Sequence, residues 1–92
     1  MDYLAIFIKD PNAVLDYQID WSDWLGSTDT ISTSAWTVSS GITKASESNT
    51  TTTATVWLSG GTAGSNYTAA NRIVTAGGRT EDRTIQIRVE ER

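Results

Sequence analysis

The chain has 92 residues, no cysteine and no histidine, with a formal charge of −4 and a pI near 4.5. Without those two residue types it has no thiol nucleophile, thiolate or imidazole metal ligand, disulfide or imidazole general base. An acidic balance also argues against non-specific nucleic-acid binding, which needs a basic face to displace counterions, and against an anionic membrane surface.

The length suits one domain, residues 1–92. No segment approaches the roughly 20 apolar residues of a membrane span. The apolar run Leu4–Ile8 is too short for a signal peptide, and Asp2 stands where a basic start belongs. We expect folding in the cytoplasm. Serine, threonine and four tryptophans give the sequence an all-β character.

In chain order, Tyr3–Lys9 predicts a first strand with Leu4, Ile6 and Ile8 on one face, although Ala5 and Phe7 make the other face apolar too. Asp10-Pro11-Asn12 breaks it. Val14–Trp21 alternates cleanly, with Leu15, Tyr17, Ile19 and Trp21 on one side and Asp16, Gln18 and Asp20 on the other. Ser22–Gly26 reads as a helical turn, capped by Ser22 or Asp23 and ended by Gly26, with Trp24 and Leu25 plugging one end of the core. Thr30–Val38 resumes strand character, carrying Trp36, a candidate central aromatic. After the Ser39-Ser40-Gly41 turn comes a short strand, Ile42–Ser46, and a polar tip at Glu47-Ser48-Asn49.

Thr50–Leu58 alternates again, with Thr52, Ala54, Val56 and Leu58 inward. Trp57 then either points outward among threonines, as a contact residue, or is covered by a neighbouring loop. The Ser59–Asn66 loop holds three glycines, Gly60, Gly61 and Gly64. Beyond it, Asn66–Thr75 and Thr84–Glu90 predict a closing hairpin, with Ile85, Ile87 and Val89 facing the core and Gly77-Gly78 supplying positive φ at the turn. Asn71 faces inward by phase and needs buried partners. Tyr67 begins its strand where sandwich tyrosines bond back to the backbone. About seven antiparallel strands, with a turn roughly every ten residues, predict an immunoglobulin-like β-sandwich.

Catalytic chemistry is thinly represented. No phosphate loop, dinucleotide fingerprint or nucleophile elbow is present. The glycine-rich loop has no basic neighbour and no following helix, so it reads as a connection. Asp16, Asp20 and Asp23 are the carboxylates to weigh for a metal, but solvation of an outward strand face explains the first two, and their spacing fits no calcium loop. We expect no enzyme activity, no cofactor and no resident metal. Arg79, Glu81, Asp82 and Arg83 form a mixed-charge group at the hairpin tip. Together with Trp57, Gly60 and Gly61 they are the candidate partner contacts.

Three stretches carry a resemblance: KDPNAVLDYQIDWSDWLG (9–26), DTISTSAWTV (29–38) and TVWLSGGTAGSNYTAANRIVTAGGRTEDRTIQIRV (55–89). The pieces DPNAVLDY, DWLG, WLSGG and GGRTEDRTIQIRV are the most specific. The chain resembles small tailed-phage and prophage proteins of the fiber-tail adaptor family across nearly all of Lys9–Val89. The resemblance implies a structural protein of the virion with an immunoglobulin-like fold. Its partners would be connector, tail and fibre proteins, met in several copies set by the particle's symmetry. Two other readings share this physics: a decoration protein on the major capsid shell, and a carbohydrate-binding or adhesin module using Trp57.

Overall fold

A computed structural model describes residues 5–91. Seven strands and one helical turn follow in order: β1 (Ile6–Lys9), β2 (Leu15–Asp20), α1 (Ser22–Leu25), β3 (Ile31–Val38), β4 (Ile42–Asn49), β5 (Thr53–Gly60), β6 (Asn66–Thr75) and β7 (Thr80–Val89). They form a four-stranded sheet, β1-β7-β6-β3, packed on a three-stranded sheet, β2-β5-β4. This is the strand order of an immunoglobulin-like sandwich whose first strand has joined the sheet of the last. The predicted all-β sandwich is therefore observed, with one difference in pairing. β1 runs parallel to β7, while the other four pairings are antiparallel.

Alternation explains the core. Tyr17, Ile19, Ala54, Val56, Leu58, Tyr67, Ala69, Ile73, Ile85, Ile87 and Val89 are buried at every second position of their strands. Trp36 sits among them from β3. Leu25 is buried and Trp24 packs on the same cluster, so α1 plugs one end as expected. No helix among the described residues is long and apolar enough to cross a membrane.

One phase left open by the sequence is decided, and three local expectations are corrected. Of the two apolar faces of β1, the one bearing Ile6 and Ile8 faces solvent, at 63% and 45% exposure; Leu4 and Tyr3 lie outside the described residues. The register puts Phe7 beside Ile87 and Lys9 beside Val89, so β1 buries its less apolar face. Parallel pairing with β7 fixes that phase, and the two apolar faces of β1 left it ambiguous in the sequence. Leu15 shares the phase of Tyr17 but is exposed at the open start of β2. β4 runs on to Asn49, so Glu47-Ser48-Asn49 belongs to the strand; the turn is formed by Thr50, whose hydroxyl accepts the Thr52 and Thr53 N–H groups. Finally, neither Ser22 nor Asp23 caps α1. Trp21 holds the N-cap position without a side-chain bond, and the Asp20 carboxylate accepts the Ser22 N–H at 2.9 Å. Gly26 ends the turn at φ +76°, as the sequence predicts.

Candidate contact surfaces

The sequence-selected residues fall at three places, and the fold builds each differently. At one end of the sandwich the β6–β7 hairpin leans on α1. Its tip is the turn Ala76–Arg79, where Gly78 alone of the glycine pair takes a positive φ, +89°. Gly77 instead presents its N–H to Asp29 at 3.0 Å, with the carboxylate so near that a Cβ there would lie 3.1 Å from it. Arg79 reaches across the tip. It donates to Asp29 Oδ2 at 3.0 Å and to the Trp24 and Leu25 carbonyls at the end of α1, and its guanidinium lies 4.2 Å over the Trp24 ring.

Asp29 is the hub of this latch. Burial pushes its carboxyl pKa up. Hydrogen bonds from the Thr75 side chain, the Gly77 N–H, Arg79 and the Thr30 N–H outweigh that and lower it to about 2. Arg83, on the inner side of β7, stacks 4.3 Å over Trp21, whose ring meets Trp24 edge-on at 5.4 Å. Arg79, Trp24, Trp21 and Arg83 thus form a ladder in which two cations close two aromatic faces. Beneath it the Trp21 indole donates to Asn71 Oδ1 at 2.9 Å, and the Asn71 amide donates to Ser34 Oγ and the Ala35 carbonyl. The inward asparagine accordingly has its partners. Glu81 and Asp82 lie within β7 and are exposed. Asp82 forms a two-pronged pair with Arg72 at 2.8 and 2.9 Å, a bond that holds its carboxyl pKa down.

The opposite end carries the glycine-rich loop. The Thr62 N–H donates to the Tyr67 hydroxyl at 2.8 Å, the corner expected of that tyrosine. Gly61, at φ +97°, packs where a Cβ would come 2.7 Å from Val89 Cγ2. The Gly60 carbonyl accepts the Lys9 ammonium at 2.8 Å. Lys9 is buried, which pushes its pKa down, and its amine escapes the core by reaching the Gly60 and Asp10 carbonyls.

The third place is the outer face of the β2-β5-β4 sheet. Trp57 projects from its central strand at 41% exposure, directly between Asp16 of β2 and Ser46 of β4. The phase reading of Trp57 as outward is therefore observed. Threonine and serine surround it along β5, and Gln18 bonds the Thr55 hydroxyl. Asp16, Asp20 and Asp23 do not converge: no group of three carboxylates among the described residues is placed to hold a metal ion.

Arg79 and Arg83 reach the α1 end, Gly60 and Gly61 the other end of β6, and Trp57 the outer face of the other sheet. Three residues with evident structural work escaped sequence reasoning. Asp29 and Arg79 are 50 positions apart, and no local pattern links them. Arg72 meets Asp82 only through the β6–β7 register. Lys9 is inward only because β1 pairs with β7, a phase that its two apolar faces left open in the sequence.

Comparison with known proteins supplies the family. No curated protein sequence matches the chain. Among solved structures, a cysteine protease inhibitor, EhICP2, from Entamoeba histolytica is similar at 11% identity and a TM-score of 0.48, covering 96% of this chain and 87% of that one. The family model for the podophage GP4 fiber-tail adaptor protein gp77 matches residues 9–88. The chain belongs to the podophage fiber-tail adaptor family, a family of phage structural proteins whose place is the virion tail.

Proposed function

We propose that the chain is a non-enzymatic joint at the neck or tail of the virion, folded in the host cytoplasm and built into the particle in several copies, where it binds tail fibres to the connector or tail. Family membership over residues 9–88 carries this reading. The shape supports it. The molecule measures 43 × 24 × 20 Å, and the Arg79 tip and the Gly60-Gly61 loop lie at opposite ends of β6, as a part with two neighbours requires.

The contact residues in this proposal are Trp57 on the sheet face, Gly60 and Gly61 at one end, and Arg79, Glu81, Asp82 and Arg83 at the other. An acidic sandwich without imidazole or thiol suits adhesion, in which many modest contacts repeated by symmetry add up. Electron microscopy of purified virions tests the proposal. The expected result is a sandwich-shaped density between tail and fibre; its absence from the particle contradicts the role.

A further inference from the structure

The two long sides of the sandwich are finished differently. On one side run the edges of β3 and β4. Both are bulged, at Ile31/Thr33 and at Lys44/Ser46. Lys44 crosses between the sheets to donate to the Trp36 carbonyl at 3.0 Å and pairs with Glu47. Bulges and inward charges are the usual protection of a sheet edge against pairing.

The other side runs along β1 and β2. Here β1 has joined β7, so the place beside β2, which the first strand fills in constant-type immunoglobulin sandwiches, holds no strand among the described residues. β2 pairs with β5 in unbroken register from Leu15 to Asp20. The Trp21 N–H donates to Thr52, its direct opposite, so Ile19, Tyr17 and Leu15 also direct their backbone groups toward β5. The N–H and C=O groups of Asp16, Gln18 and Asp20 therefore face the open edge. Their side chains all lie on the outer face.

We propose that this β2 edge receives an extended segment of a partner virion protein, added as a strand, with a lysine or arginine at positions i and i+4 opposite Asp16 and Asp20. Backbone pairing supplies the attachment, and cross-strand charge pairs choose the partner. Charge complementarity fixes the kind of occupant. Among the described residues, the outer face of the β2-β5-β4 sheet bears Asp16 and Asp20 and no cation, because Lys44 is turned to the other sheet. Antiparallel pairing of two β2 edges would set Asp16 of one copy against Asp20 of another, so a second copy is repelled where a basic strand is attracted. Exposed Val14 and Leu15 at the start of the edge offer an apolar anchor.

The inference rests on the virion reading and deepens it. Hydrogen exchange compares the free chain with the chain in purified virions. The amides of Asp16, Gln18 and Asp20 are expected to exchange at least about tenfold more slowly in the particle. The paired variant Asp16→Lys/Asp20→Lys is expected to keep the fold and lose at least about tenfold in incorporation. Gln18→Pro removes an outward N–H without touching the β5 ladder and is expected to do the same. A chain present in particles with these amides exchanging as in the free state overturns the edge while leaving the virion role standing. A chain missing from particles overturns both. Protection that arises in the isolated chain as its concentration rises points to self-pairing and also overturns it.

Discussion

The indole N–H of Trp21 donates to Oδ1 of Asn71 at 2.9 Å, joining the β2–α1 junction to the middle of β6 across the sandwich. Both residues are fully buried. Fifty positions separate them in the chain, yet this bond seats the α1 plug and, through the Arg83 stack on Trp21, the closing hairpin.

Replacing Asn71 with leucine keeps the volume but strands that donor in the core. We expect a loss of about 1–3 kcal/mol from the unpaired group, each kcal/mol read as about 4–8 °C in Tm. Adding Trp21→Phe removes the stranded donor, so the double variant is expected to lose less than the sum of the single changes. Thermal unfolding of the four proteins in the cycle checks this.

Asp29 makes stability pH-dependent. Its folded pKa, about 2, lies below the ordinary value of 3.8. A depressed carboxylate pKa contributes stability that is fully present above the unfolded value and is lost as pH falls through the folded one. The Tm gap between the native chain and Asp29→Asn should therefore be widest above pH 4 and close toward pH 2. A gap of constant size across that range would show that the carboxylate's charge is not what holds the latch.

The glycine-rich end has a steric and a polar test. Gly61→Ala forces a Cβ to within 2.7 Å of Val89 Cγ2 at φ +97°. A cost of about 1–3 kcal/mol is expected from overpacking alone. Tyr67→Phe removes the acceptor of the Thr62 N–H, for about 0.5–1.5 kcal/mol. Denaturant melts of the two variants should rank them in that order.

Trp57 separates stability from assembly. Its ring faces outward, so Trp57→Ala is expected to leave folding stability within about 0.5 kcal/mol. Incorporation into virions, measured on purified particles, should fall. Unchanged incorporation would remove Trp57 from the contact surface.

Strand phase made much of this legible beforehand. Val14–Trp21, Thr50–Leu58 and the closing hairpin show clear period-two alternation, and their inner residues Tyr17, Ile19, Val56, Ile85, Ile87 and Val89 are core. Asn71 was identifiable because a polar group at an inward position must find a partner, and Tyr67 because it begins its strand where sandwich tyrosines bond back to the backbone. β1 was not, since Ala5 and Phe7 make its second face apolar too and only the neighbour β7 decides between the two faces. Asp29–Arg79 and Arg72–Asp82 depend on register and tertiary closeness, which composition and spacing do not encode. For the same reason the sequence could group Arg79 with Arg83 but not reveal that both stack on tryptophans from α1 and the β2–α1 junction.

The most direct test of the adaptor role is the composition and structure of the particle itself. Purified virions should contain the chain in far fewer copies than the major capsid protein, and microscopy should locate it where fibres meet the tail. Copies in proportion to the capsid shell, or a particle complete without the chain, would contradict the account.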